Sequence, residues 1–145
     1  MKISTKGRYG LRAMMLLAEG YGKGPVLTSA IAEDQGISLK YLHALLAALR
    51  AAGLVRSLRG TGGGYMLSRE PGKINLAQVV SALEGALVVA DCVESEEICE
   101  QSAACVARAV WQELSRTIEE KLSGMTLRDL VERRAQLMSE SDGAK

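Results

Sequence analysis

The stretch ISLKYLHALLAALRAAGLVRSLRGTGGGYMLSREP, residues 37–71, decides the fold. Ser38 is a residue type that caps helices, its oxygen accepting from a free backbone N–H. Leu39, Leu42, Leu45, Leu46 and Leu49 recur at helical spacing and make one apolar stripe, which predicts a helix over 38–51. Gly53 supplies the stop. Beyond it the pattern changes. Leu54–Leu58 and Tyr65–Ser68 read as strands, and the glycines of Arg59-Gly60-Thr61-Gly62-Gly63-Gly64 supply the positive-φ conformations of a hairpin loop.

Upstream, residues 28–35 read as a short helix, with Thr28 as its candidate cap and Gly36 closing it. Residues 8–20 read as a first helix, carrying Leu11, Met14, Met15 and Ala18 on one face and ended by Gly20, Gly22, Gly24 and Pro25. Downstream, Asn75 caps a helix bearing Leu76, Val79, Val80 and Leu83. Residues 90–102 read as a loop. From Ala103 to Leu122 the apolar residues Val106, Val110, Leu114, Ile118 and Leu122 recur every four positions, flanked by Ala107 and Trp111. That predicts a helix of about 30 Å, long enough to pair with a symmetry mate. Thr126 starts a last helix with Leu127, Leu130 and Val131, and 139–145 reads as a flexible tail. The fold class is mainly α with a small β-hairpin: a winged helix-turn-helix followed by a long C-terminal dimerisation helix.

The 145 residues carry a net charge of only +1. That sum hides an asymmetry. Residues 1–73 hold eleven bases against four acids, +7, and the remainder holds seven against thirteen, −6. A basic half joined to an acidic half suggests one module for a polyanion and another for a different task. A hydrophobic fraction of 48% supports a core, while 3% aromatics make stacking platforms for single strands improbable. No run of about 18 apolar residues predicts a membrane span. Arg12 follows the opening MKISTKGRYG after a single leucine, so no signal peptide is expected and the location is expected to be cytoplasmic.

The basic residues lie on the elements that would touch duplex DNA. The helix over 38–51 hides its leucines and offers Lys40, Tyr41, His43 and Arg50 outward, with Ala44 and Ala47 keeping that face slim enough for a major groove. Its N-terminus, with Ser38 and Lys40, suits a phosphate. Arg59 at the hairpin tip, with Arg56 on the strand below it, suits a narrow A/T-rich minor groove. Thr28 and Thr61 complete the candidate DNA contacts. The glycine cluster is not a phosphate loop, because no Gly-Lys-Ser/Thr opens a helix and a strand follows instead. No nucleophile–base pair stands out, so an enzyme is not expected.

Cys92, Cys99 and Cys105 are spaced C-x6-C-x5-C among Asp91, Glu94, Glu96, Glu97 and Glu100. Three cysteines disfavour a disulfide framework. The acids do not help thiols ionise, so a metal or iron–sulfur cluster is the partner that would stabilise three thiolates; three unrelated thiols is the other reading.

The opening MKISTKGRYGLRAM, the stretch 37–71 and the three cysteines together resemble one family over residues 1–138. It is the bacterial winged-helix regulators that include the iron–sulfur cluster regulator IscR, the nitric-oxide sensor NsrR and the cysteine-metabolism repressor CymR. The chain resembles the cluster-bearing IscR-like branch most; the CymR branch lacks such a cysteine triad. The resemblance implies a homodimeric transcription regulator binding palindromic double-stranded DNA operators, with Ser38, Lys40, Tyr41 and Arg59 on DNA. It implies an iron–sulfur cluster on Cys92, Cys99 and Cys105, 2Fe–2S in preference to 4Fe–4S. The expected division is then 1–73 for DNA binding, 74–138 for the cluster-binding loop and dimerisation helices, and 139–145 for the tail. Where IscR-like members carry a histidine ligand this chain has Arg108, and where some NsrR-like members carry an acid it has Arg8. The fourth ligand is therefore open among a loop acid, an acid of the partner subunit and an exogenous ligand. Control of iron–sulfur cluster assembly genes is the expected role. Nitric-oxide sensing, or a cluster-free repressor of cysteine metabolism run by thiols or an unidentified protein partner, is the alternative.

Overall fold

The computed structural model describes residues 2–144. Helix α1 spans Thr5–Glu19, α2 Thr28–Gln35 and α3 Leu39–Ala51. Strands β1 (Val55–Leu58) and β2 (Gly64–Leu67) form an antiparallel hairpin that pairs Val55 with Leu67 and Leu58 with Gly64. Then come α4 (Leu76–Glu84), the short α5 (Asp91–Glu94), α6 (Val106–Ser123) and α7 (Leu127–Gly143). The architecture is mainly helical with a two-strand wing, as the residue pattern predicts.

Local signals explain most boundaries. Ser38 Oγ accepts from Tyr41 N–H at 3.1 Å and starts α3. Gly36 ends α2 with φ 65°, a conformation that favours glycine. Asn75 and Gln78 cap α4 reciprocally, and Thr126 and Asp129 do the same for α7. The wing is anchored by Val26, which exchanges backbone hydrogen bonds with Tyr65 at 2.8 and 2.9 Å. Gly64 is needed there, since a Cβ would strike the Val26 backbone.

One core holds the elements together. Met14 and Leu17 of α1, Ile31 of α2, Leu42, Leu46 and Leu49 of α3, and Leu54 are buried in it. Ile74, Val79 of α4 and Leu127 of α7 belong to the same cluster, so it draws on both sides of residue 73. Residues Asn75 and Thr126 form a β-bridge that brings the start of α7 beside the start of α4.

Several expectations are corrected. α1 begins at Thr5, not residue 8, because Glu84 of α4 accepts from the N–H groups of Ser4 and Gly7 and caps it from a distance. Thr28 does not cap α2; it is the first helical residue, after Leu27, and makes no capping hydrogen bond. Leu39 leaves the core stripe and is 48% exposed, facing a cleft beside the wing. The segment 90–102 is not featureless: besides α5 it carries a 3-10 turn at Glu96–Ile98, and a second turn follows at Ser102–Ala104. α6 accordingly starts at Val106 rather than Ala103. The stretch expected as a tail from Ser139 stays helical to Gly143.

α6 buries only Ser115 among its own residues. Val106 is 81% exposed, and Val110, Trp111 and Leu114 are exposed with it. Among the described residues no helix is long and apolar enough to cross a membrane.

Candidate nucleic-acid interface and cysteine segment

α3 turns Leu42, Leu45, Leu46 and Leu49 inward and its polar residues out because their spacing follows the helical period. Lys40, His43 and Arg50 are exposed on it. Arg56 of β1, Arg59 and Thr61 in the hairpin loop are exposed as well. Gly60 and Gly62 adopt φ of 105° and 120°, which lets the loop turn tightly. Among the described residues none of Lys40, Arg50, Arg56 and Arg59 is in a salt bridge. Arg50 does donate to Ser57 Oγ at 3.4 Å, tying the end of α3 to β1.

Two predicted contacts have structural duties. Ser38 Oγ is occupied as the α3 cap, so it is its O–H that stays free to donate to a phosphate. Tyr41 is half-buried, its ring edge-on to Tyr9 at 6.2 Å and its hydroxyl donating to Thr5 Oγ1 at 3.1 Å. Arg12 lies over the other ring of that pair, 5.6 Å from the Tyr9 centroid. Tyr41 thereby fixes α3 against the start of α1. Thr28 lines the cleft between α2, α3 and the wing, with His43 and Leu39.

The three cysteines are free thiols. Cys92 lies in α5 and Cys105 caps α6, its Sγ accepting from Arg108 N–H at 3.4 Å. Both are half-buried, while Cys99 is exposed between the two turns. Arg108 Nε donates to the Cys92 carbonyl at 2.7 Å, and Arg108 Nη1 pairs with Glu96 at 3.3 Å. The Arg108 side chain is only 13% exposed. The Ser102 hydroxyl adds local closure through the carbonyls of Glu96 and Cys99 at 2.6 and 2.8 Å. Arg108 thus ties Cys92 and Cys105 to one point, and Cys99 is not drawn in. Among the described residues no three His, Cys, Asp or Glu side chains converge closely enough to hold a metal ion. Three thiols suit an iron–sulfur group in kind; in this structure they are not closed around one point.

Three positions that shape these sites are not legible residue by residue in the sequence. Arg108 reads only as a missing histidine, although it is the sole base between Lys73 and Arg116 and follows an acidic run. Leu39 reads as a core residue by its spacing. Glu84 carried no local signal at all.

Residues 3–133 match the family model Rrf2, described as an iron-dependent transcriptional regulator. IscR of Xenorhabdus nematophila is 41% identical over 131 residues, spanning 90% of this chain and 79% of that protein. The solved structure of T. potens IscR superposes with a TM-score of 0.75 at 42% identity, covering 92% of this chain and 88% of that one. The structure of CymR, the global cysteine regulator of B. subtilis, gives the same TM-score at 38% identity, covering 92% of this chain and 98% of that one.

Proposed function

This chain belongs to the Rrf2 family of DNA-binding transcriptional regulators, and on that premise we propose that it is a cytoplasmic homodimer that binds palindromic operators and senses iron–sulfur cluster or redox status through Cys92, Cys99 and Cys105. Its targets on this reading are iron–sulfur cluster assembly genes. The observation that carries the reading is the place of the cysteines. They sit on the one segment that joins α4 to α6, and Arg108 binds that segment to α6. α4 in turn holds α1 through Glu84, and α1 holds α3 through Tyr41. A change in the segment therefore bears on the helix that reads DNA.

A cluster, when bound, supplies a redox-labile and ligand-labile link among three sulfurs. The 2Fe–2S type is preferred, and Arg108 cannot be its fourth ligand, since a guanidinium has no free acceptor. The dimer reading rests on Val106, Val110, Trp111 and Leu114, an apolar stripe on α6 that a second α6 would cover.

Anaerobic purification is the test. Visible absorption from the thiolate-bound cluster is expected, with iron and acid-labile sulfide in stoichiometric amounts. A colourless protein even after reconstitution overturns the sensor reading. DNA binding is checked separately with Arg59→Ala, which should weaken binding and reduce preference for A/T pairs beside each half-site. Affinity should fall steeply with salt through counterion release.

A second reading is favoured by the exposed Cys99 and by the open arrangement of the three thiols. In it the chain is a cluster-free regulator of the CymR kind, controlled by thiol oxidation or a protein partner. Reversible oxidation that changes DNA affinity in iron-free protein would support that reading over the first.

A further inference from the structure

Leu39 opens α3 with 48% of its surface exposed, although its spacing places it on the stripe that fills the core. Leu27, 52% exposed, and Leu58, 47% exposed, line the same cleft between the start of α2, the first turns of α3 and the wing. His43 lines it too, four residues along α3 from Leu39 and so on the same face. α3 and the hairpin loop beside the cleft carry Lys40, Arg50 and Arg59, exposed and outside any salt bridge among the described residues. The cleft is therefore lined by three exposed leucines and flanked by elements that bear exposed bases. Duplex DNA matches both features: its phosphates are anionic, and one apolar group lies on its major-groove base edges, the C5 methyl of thymine. A leucine has no donor or acceptor, so among base edges it can favour only that methyl.

We infer that Leu39 is a specificity-determining residue, which reads a thymine methyl in each operator half-site with Leu58 helping to exclude water from the contact. The position suits the role. N-terminal residues of a recognition helix are the ones that reach base edges. Lys40 beside it holds the backbone register, and His43 supplies the polar readout one turn on. The inference rests on the reading of α3 as the helix that enters the major groove.

The test uses full-length protein purified anaerobically and the duplex that it selects from a random-sequence library. Each thymine is replaced singly by deoxyuridine, which removes the methyl and keeps the Watson–Crick hydrogen bonds. At one position per half-site the wild type should lose affinity about fourfold per methyl, the factor for withdrawing one such group from water. Leu39→Ala should bind the thymine duplex more weakly and be indifferent to that replacement. Leu39→Met, still apolar, should restore the dependence. A wild type indifferent to every deoxyuridine, a Leu39→Ala protein with the full methyl dependence, or a selected half-site without thymine overturns the inference. Lys40→Ala separates it from the broader reading. If Lys40→Ala weakens binding and no deoxyuridine matters, α3 enters the groove and only the methyl contact is wrong. If neither Lys40→Ala nor Leu39→Ala changes affinity, α3 is not the reading helix.

Discussion

Glu84 caps Ser4 across 80 residues of sequence: its Oε1 accepts from the Ser4 N–H at 2.8 Å and from the Ser4 hydroxyl at 2.6 Å. The same oxygen accepts from Gly7 N–H at 3.0 Å. A carboxylate at a helix N-terminus satisfies donors that the helix cannot and faces the positive end of its dipole. Because α1 lies at the centre of the core, its first turn is set by the last residue of α4. Glu84→Ala should therefore cost about 0.5–2 kcal/mol, the range for losing a helix cap. Urea denaturation followed by circular dichroism checks it. An unchanged midpoint would show that the cap adds nothing to stability.

Gly10 makes the second link between α1 and α4. A Cβ there would strike the Leu83 side chain. Alanine is worth about 1 kcal/mol over glycine inside a helix, but overpacking a core costs about 1–3 kcal/mol. Gly10→Ala should be destabilising on balance. In the background of Leu83→Ala the same change should become neutral or stabilising, because the obstructing methyls are gone. A double-mutant cycle measured by thermal melting tests the coupling, and simple additivity would refute it.

Arg108 should control access to the thiols. It binds the Cys92 carbonyl and Glu96 from a largely buried position. Arg108→Gln should speed alkylation of Cys92 in iron-free, reduced protein about tenfold, the effect of ~1.4 kcal/mol from charge-assisted hydrogen bonds. Cys99, already exposed, should react at an unchanged rate. Glu96→Gln, at an exposed partner, should give a smaller effect in the same direction. Site-resolved mass spectrometry after timed alkylation reads all three positions.

Asp129 should add an acid-sensitive increment at the start of α7. The backbone N–H of Thr126 hydrogen-bonds its carboxylate at 2.8 Å and, with the Thr126 hydroxyl, holds its pKa below the ordinary value. A carboxyl depressed in the folded state stabilises the fold fully above its unfolded pKa, and that contribution is lost as pH falls through the folded pKa. Asp129→Asn should therefore flatten the decline of melting temperature below the ordinary carboxylate range. Glu70, lowered by its hydrogen bond and charge pairing with Lys73, still titrates in the variant and leaves a residual slope. An unaltered slope would remove Asp129 from the account.

The order of helix, turn, helix and wing is legible from the residues alone, because every signal for it is local. Ser38 caps the residue three positions on, Gly36 and Gly53 close their helices within a turn, and the leucines of α3 are spaced by the helix itself. The glycines between Leu58 and Tyr65 likewise announce the hairpin without knowledge of the rest of the chain. The three cysteines were legible as a group, but not their arrangement, since that is set by Arg108 gripping a carbonyl sixteen residues away. Where α1 starts depends on the folded arrangement, because its cap is a side chain of α4. The exposure of Leu39 depends on that arrangement too, because periodicity says which face a residue shares and not whether another element covers that end of the helix. The residues that specify this fold are near neighbours in sequence, whereas those that join its reading helix to its cysteine segment meet only once the core has closed.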